Sequence, residues 1–303
     1  MARLFNSYIM VDWSAAAKPT TGVDSIWIGA LVPDARFRLA FRASNPPTRA
    51  QAVDELTELL TRLIRRGDRI LLGFDFPFGY PAGTADALKL KGDAPAWTRM
   101  RDFLLKEMKD KPDNANNRFA LAARMNRLMS DGPFPFWGCS KRDVLTTLTM
   151  KKSREHGPDD VAEFRQAELA ALKSKLGRPQ PVWKIAYAGA VGGQTLTGLP
   201  AVHKLRAQFE GMRLWPFELG LEAPTPETFD GVDIVACEVY PSMRPQSPKP
   251  GEIKDETQVR ILAEWFAELD ESDRLGPLFE PDHGLSETVK HEISTEEGWI
   301  LGI

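Results

Sequence analysis

Arg69-Ile70-Leu71-Leu72-Gly73-Phe74-Asp75 sets the frame for the rest of the chain. A short apolar run without alternation reads as a strand covered on both faces, and this one ends on an acid. Just upstream, Val53, Leu56, Leu60, Leu63 and Ile64 recur at spacings of three and four behind Thr48, which predicts a capped helix ending near Gly67. Earlier still, Tyr8-Ile9-Met10-Val11 is a second short apolar run, ending at Asp12. A third run, Ser25 to Val32, stops at Pro33-Asp34, and Phe37 to Phe41 alternates as a half-exposed strand should. The loop chemistry of 13–24 and the short connections favour an antiparallel meander. The order is then β-β-β-α-β, with Asp12 and Asp75 at strand ends.

Downstream, 81–180 turns helical, with helices expected at Pro95–Lys109, Asn117–Ser130 and Pro158–Leu176. Strands resume afterwards, so this stretch reads as a large helical insertion. Val182–Tyr187 is apolar, a helix is expected from about Leu199 to Gly211, and Arg213–Phe217 reads as an edge strand because Pro216 fits poorly inside a sheet. Asp233–Tyr240 is a strong strand carrying Glu238, and a last helix starts near Lys254-Asp255. The hydrophobic ending, Gly298-Trp299-Ile300-Leu301-Gly302-Ile303, suggests a docked terminus. The expected architecture is one α/β domain, a mixed sheet flanked by helices with its core at 1–80 and 181–303.

With 303 residues, 43% hydrophobic and 27% charged, the chain can bury a core without staples. Cys139 and Cys237 cannot make a disulfide framework, and no Cys/His cluster offers a zinc site. His156, His203, His283 and His291 are scattered without ligand spacing. No apolar run approaches a membrane span, and Asp12 comes too early for a signal-peptide core, so a cytoplasmic location with no membrane partner is expected. The net charge is −3, unevenly spread. Residues 85–182 hold 19 Lys and Arg against 13 Asp and Glu, whereas 218–303 hold 6 against 20. A basic region can attract phosphates even in an acidic protein, although a solvated helical surface explains the same scatter.

Acids beside buried strands carry the chemistry. Asp12, Asp75 and Glu238 each end such a run, and Asp255 stands at a helix start. A buried carboxylate is costly unless paired, hydrogen-bonded or bound to a cation. Converging carboxylates raise one another's proton affinity unless a divalent ion sits between them. Oxygen ligands in low number, completed by water, suit Mg²⁺ or Mn²⁺. Two such ions can activate water and stabilise a leaving oxygen. A turn or a helix cap is the plain alternative for any one of these acids.

Val-Asp-Trp-Ser at 11–14, Gly-Phe-Asp-Phe-Pro-Phe-Gly at 73–79 and Glu-Val-Tyr-Pro at 238–241 resemble motifs of an uncharacterised bacterial and archaeal family of predicted nucleases with a ribonuclease-H-like fold. Lys-Asp-Glu at 254–256 and Glu-Gly-Trp-Ile at 297–300 complete the set. The resemblance implies a ribonuclease-H-like mixed sheet with Asp12, Asp75, Glu238 and Asp255 as metal-binding and catalytic acids. Glu256 is a substitute for Asp255, because the residues that follow depart from the family pattern. The function expected is divalent-metal-dependent cleavage of a nucleic acid, nucleotide or other phosphate ester.

Substrate contacts are expected from Ser14 and from Arg99, Arg101 and Arg124, with Arg118 and Arg127 nearby and Trp97, Phe119 and Trp137 among them. Those aromatics serve equally well as the insertion's own core. Ala188–Thr195 is either a phosphate-approach loop or a tight connection. The alternative function is a non-catalytic nucleotide- or cofactor-binding accessory protein, as in molybdopterin-guanine-dinucleotide synthesis, although no Gly-x-x-x-x-Gly-Lys-Ser/Thr loop is present. A catalyst requires the four acids around one opening. A binding module tolerates one of them facing away or paired with Arg. Opposite faces or opposite ends of the sheet for Asp12 and Glu238 would defeat this site hypothesis, whatever the fold.

Overall fold

Side-chain alternation along the strands decides which helices cover which face, and with it where each acid points. The computed structural model describes residues 3–244, 247–248, 251–281 and 284–303, so His283 lies outside the described residues. The strands are β1 (Ser7–Asp12), β2 (Trp27–Pro33), β3 (Leu39–Ser44), β4 (Ile70–Phe74), β5 (Met212–Leu214) and β6 (Ile234–Glu238). They form a six-stranded sheet in the order β3-β2-β1-β4-β6-β5. The β1–β2 and β2–β3 pairs are antiparallel, and β1–β4, β4–β6 and β5–β6 are parallel. The result is a mixed α/β sheet.

Helix α1 (Arg49–Arg65) is capped by Thr48, whose hydroxyl accepts from the Gln51 N–H at 3.2 Å. It packs Ala52, Leu56, Leu60 and Leu63 against Ile9, Val11, Leu72 and Phe74. Helix α6 (Gly192–Gln208) shares that face through Leu196, Leu199, Val202 and Leu205. The opposite face carries Tyr8, Met10, Leu71, Val235 and Cys237 under α7 (Lys254–Glu271), which contributes Val259, Leu262, Ala263 and Phe266. Each large side chain fully buried in these layers contributes about 1.5–3 kcal/mol. The far end of α7 is tied to β1: Asp270 accepts from the N–H groups of Leu4 (2.7 Å) and Phe5 (2.8 Å) and from the Tyr8 hydroxyl (2.7 Å).

Between β4 and α6 lie α2 (Thr84–Ala87), α3 (Ala96–Glu107), α4 (Arg118–Ser130) and α5 (Gln166–Lys173). Met100, Leu104, Leu121 and Met125 join the core on the α1 side. Several expected boundaries move, the edge strand expected over Arg213–Phe217 among them, which is Met212–Leu214. The helix expected over Pro158–Leu176 is confined to α5, because the preceding stretch delivers Arg165 into the core. Helix α6 begins at Gly192 rather than Leu199; a Cβ at Gly192 would lie 2.1 Å from the Val182 carbonyl oxygen, an approach only glycine permits. Strand β3 starts at Leu39, since Phe37 takes a left-handed φ of 60° in the hairpin turn and is exposed. The terminus is docked as expected: the Leu301 N–H donates to the Glu238 carbonyl at 3.0 Å, and Trp299 and Leu301 are buried.

Candidate functional site

Asp12 ends β1, and Asp75 follows β4 directly. The register pairs Val11 with Phe74, so the next residues, Asp12 and Asp75, both turn to the α7 face. Their carboxyl groups are hydrogen-bonded to each other. Asp75 also accepts from the Trp13 N–H at 2.8 Å. The first turn of α7 brings Asp255 to the same place, where it accepts from the Asp24 N–H at 2.8 Å. Asp12, Asp24, Asp75 and Asp255 line one cleft of about 660 Å³.

The electrostatics are those of undercompensated acids. Burial, then the charges of Asp75 and Asp255, hold Asp12 well above the usual carboxylate range, with Lys254 opposing. Burial raises Asp75 to about 7, against the pull of the Trp13 N–H. Burial also raises Asp255; the Asp24 N–H lowers it and the Asp24 charge raises it. One proton is held between Asp12 and Asp75 when nothing else neutralises them.

Glu238 does not join them. It pairs in register with Phe74, and alternation turns it to the face opposite Asp12. There Arg165 grips it at 2.8 and 2.7 Å, and the Phe78 N–H donates to it at 3.1 Å. Arg165 is fully buried, bonds Glu168 as well, and donates to the Glu297 carbonyl at 2.9 Å. Burial pushes the Glu238 carboxyl up, and the guanidinium opposes that rise. The expected site of four acids around one opening therefore fails at Glu238; the acids that do share an opening are a different group, Asp12, Asp75 and Asp255, joined by Asp24. Glu256 is half-buried and does not line the cleft.

The expected substrate-binding arginines are corrected too. Arg99 is held by Asp86 and the Leu90 carbonyl, both at 2.6 Å. Arg101 bonds Asp102 at 2.8 Å and lies over Trp97, and Arg124 pairs with Glu107. None of the three lines the cleft. Trp97 stacks on His203 and Phe217, so it serves packing.

Arg118 and Arg178 stand at the cleft instead. The Arg118 Nε is buried without a partner, its Nη1 donates to Asn116 at 3.0 Å, and its guanidinium lies over Phe119. Burial, then the Arg49 charge, lower Arg118 to about 10, which leaves it cationic at neutral pH. Exposed Arg178 has no hydrogen-bond or ion-pair partner among the described residues. Ser14 lines the cleft and its hydroxyl donates to the Asp24 carbonyl at 3.3 Å. The loop bearing it is pinned by Arg49, which donates to the carbonyls of Ser14 (2.9 Å) and Ala16 (2.8 Å). The Gly-rich stretch 186–193 leads into α6 and forms another part of the wall.

Among the described residues no group of three or more His, Cys, Asp or Glu side chains is arranged to hold a metal ion. No described helix is long and apolar enough to cross a membrane. Comparison with protein-family models, curated proteins and solved structures gives no match.

Proposed function

We propose that the cleft hydrolyses a phosphate ester with the help of a divalent cation held by Asp12 and Asp75, on a ribonuclease-H-like scaffold. The observation that carries this reading is the contact between two desolvated aspartates, from β1 and β4, with Asp255 of α7 opening on the same cleft. The donor set suits magnesium or manganese, which bind through one or two carboxylates and keep water and substrate oxygens for the rest of the shell. An all-protein cage of the zinc type does not fit, since no such group of ligands is present among the described residues. Bound there, the ion would supply an activated water and stabilisation of the leaving oxygen.

The chain's own part is to hold the acids and the anion apart. The Trp13 N–H orients Asp75, and the Asp24 N–H orients Asp255. Arg118 and Arg178 offer positive charge to a phosphate across the cleft. Asp75→Asn tests the reading: it keeps the shape and removes a charged ligand. Hydrolysis of nucleotide and generic phosphate esters should require Mg²⁺ or Mn²⁺ and fall at least about a hundredfold in the variant, a transition-state loss of about 2.7 kcal/mol. Full metal-dependent activity in the variant would remove Asp75 from the site.

One observation favours a second reading. Glu238 faces away and is neutralised by Arg165, as a binding module would tolerate. A protein that binds a nucleotide or a cofactor without turnover under any divalent ion would be such a module.

A further inference from the structure

Tyr187 is out of place for an ordinary loop residue. Its φ is 77°, a left-handed conformation uncommon for a bulky side chain, taken here at the start of a turn. The ring is not buried in return: it is 55% exposed and forms part of the cleft wall. Its hydroxyl is tethered, donating to the Cys139 carbonyl at 2.6 Å, and its own carbonyl accepts from the Ala190 N–H at 2.9 Å. The chain thus takes an uncommon backbone conformation and fixes a hydroxyl while leaving the ring exposed in a cleft that two arginines also line. Packing does not explain that arrangement, whereas stacking on a planar ligand does.

We infer that Tyr187 is a stacking platform for an unpaired nucleobase whose phosphate lies toward Arg118 and Arg178. The inference rests on the phosphate-ester reading of the same cleft and narrows its substrate class. A base held in a duplex has both faces covered by its neighbours, so the ligand is a nucleotide unit with a free face. A mononucleotide and a single strand both present that chemistry. A tethered ring loses little freedom on binding, which favours affinity.

Binding is measured by fluorescence anisotropy and by competition in the Asp75→Asn protein, so that hydrolysis plays no part. The probes are a labelled single-stranded oligonucleotide, the same sequence as a blunt duplex, and purine mononucleotides. The single strand or the mononucleotide should bind more tightly than the duplex. Tyr187→Ala should weaken the preferred probe at least about fivefold, the loss of one base–aromatic stack. Tyr187→Phe retains the ring and should stay within about threefold of the parent, well short of losing a stack. Mononucleotides as tight as the strand identify a small-nucleotide ligand, and a strand far tighter identifies a polymer. Duplex preference, equal affinity of the alanine variant, or no binding of any probe overturns the inference. Failure here leaves divalent-dependent cleavage of a generic phosphate ester intact, and loss of that cleavage leaves the binding result intact.

Discussion

Two groups of buried acids sit at one end of the sheet, a single residue apart in register, and burial treats them differently. Glu238 and Glu168 close around the fully buried guanidinium of Arg165, which also holds the tail through the Glu297 carbonyl. Asp12 and Asp75 meet each other instead, with Lys254 the opposing cation. Burial of an acid therefore does not mark function. What distinguishes the aspartates is that their charge is only partly compensated and opens on a cleft.

The comparison breaks first, and with the largest effect, at Arg165. Arg165→Met leaves two carboxylates buried without a counter-charge and should cost about 3–5 kcal/mol in denaturant unfolding. A loss under about 1 kcal/mol would mean that the pair contributes little and that Glu238 resembles the aspartates after all.

The next effect has the opposite sign. A carboxyl whose pKa is raised by folding binds its proton better in the folded state, so its stability contribution is complete below the unfolded value near 4 and is lost as pH rises through about 7. The wild type should lose stability on the order of 1–3 kcal/mol between about pH 5 and pH 8, and Asp75→Asn should flatten that fall. Added Mg²⁺ should raise the wild-type thermal midpoint at about pH 8 and leave the variant unmoved. Parallel pH profiles for the two proteins would show that Asp75 is compensated by something else.

The smallest effect sharpens the contrast at the surface. Arg124→Ala removes an exposed pair with Glu107 and should cost under about 1 kcal/mol, with no change in ligand affinity. Weakened binding in this variant would return the outer face of the insertion to the site.

The sequence makes β1, β4 and α1 readable because their periods are local: unbroken apolar runs ending on acids, and a stripe at three and four. Asp12 and Asp75 were legible for the same reason. Glu238 was not, because its face depends on the register between β4 and β6, which lie some 160 residues apart. Slipping that register by one residue would exchange its fate with that of Cys237 or Val239. Asp24 sits in a loop, and only the position of α7 brings it beside Asp255. Among the basic residues of the insertion, charge counts could not show which were already neutralised. Arg99, Arg101 and Arg124 form ion pairs with acids within the insertion, whereas Arg118 lines the cleft with no ion-pair partner among the described residues. The start of α6 was hidden because glycine is a poor helix former, and the Val182 backbone packed against Gly192 has no sequence signature.

Helix α7 is a strut fixed at both ends. Asp255 stands in its first turn, and Asp270 clamps the opposite end to the start of β1 through three hydrogen bonds. The two anchors are about 22 Å apart at the rise of an α-helix. Sliding or rotating the helix would strain the Asp270 clamp together with the bond from the Asp24 N–H to Asp255. The alignment of the third acid is thus set mechanically from the far side of the molecule. Damage at that end reaches the cleft as an acid out of true, with every cleft residue still present.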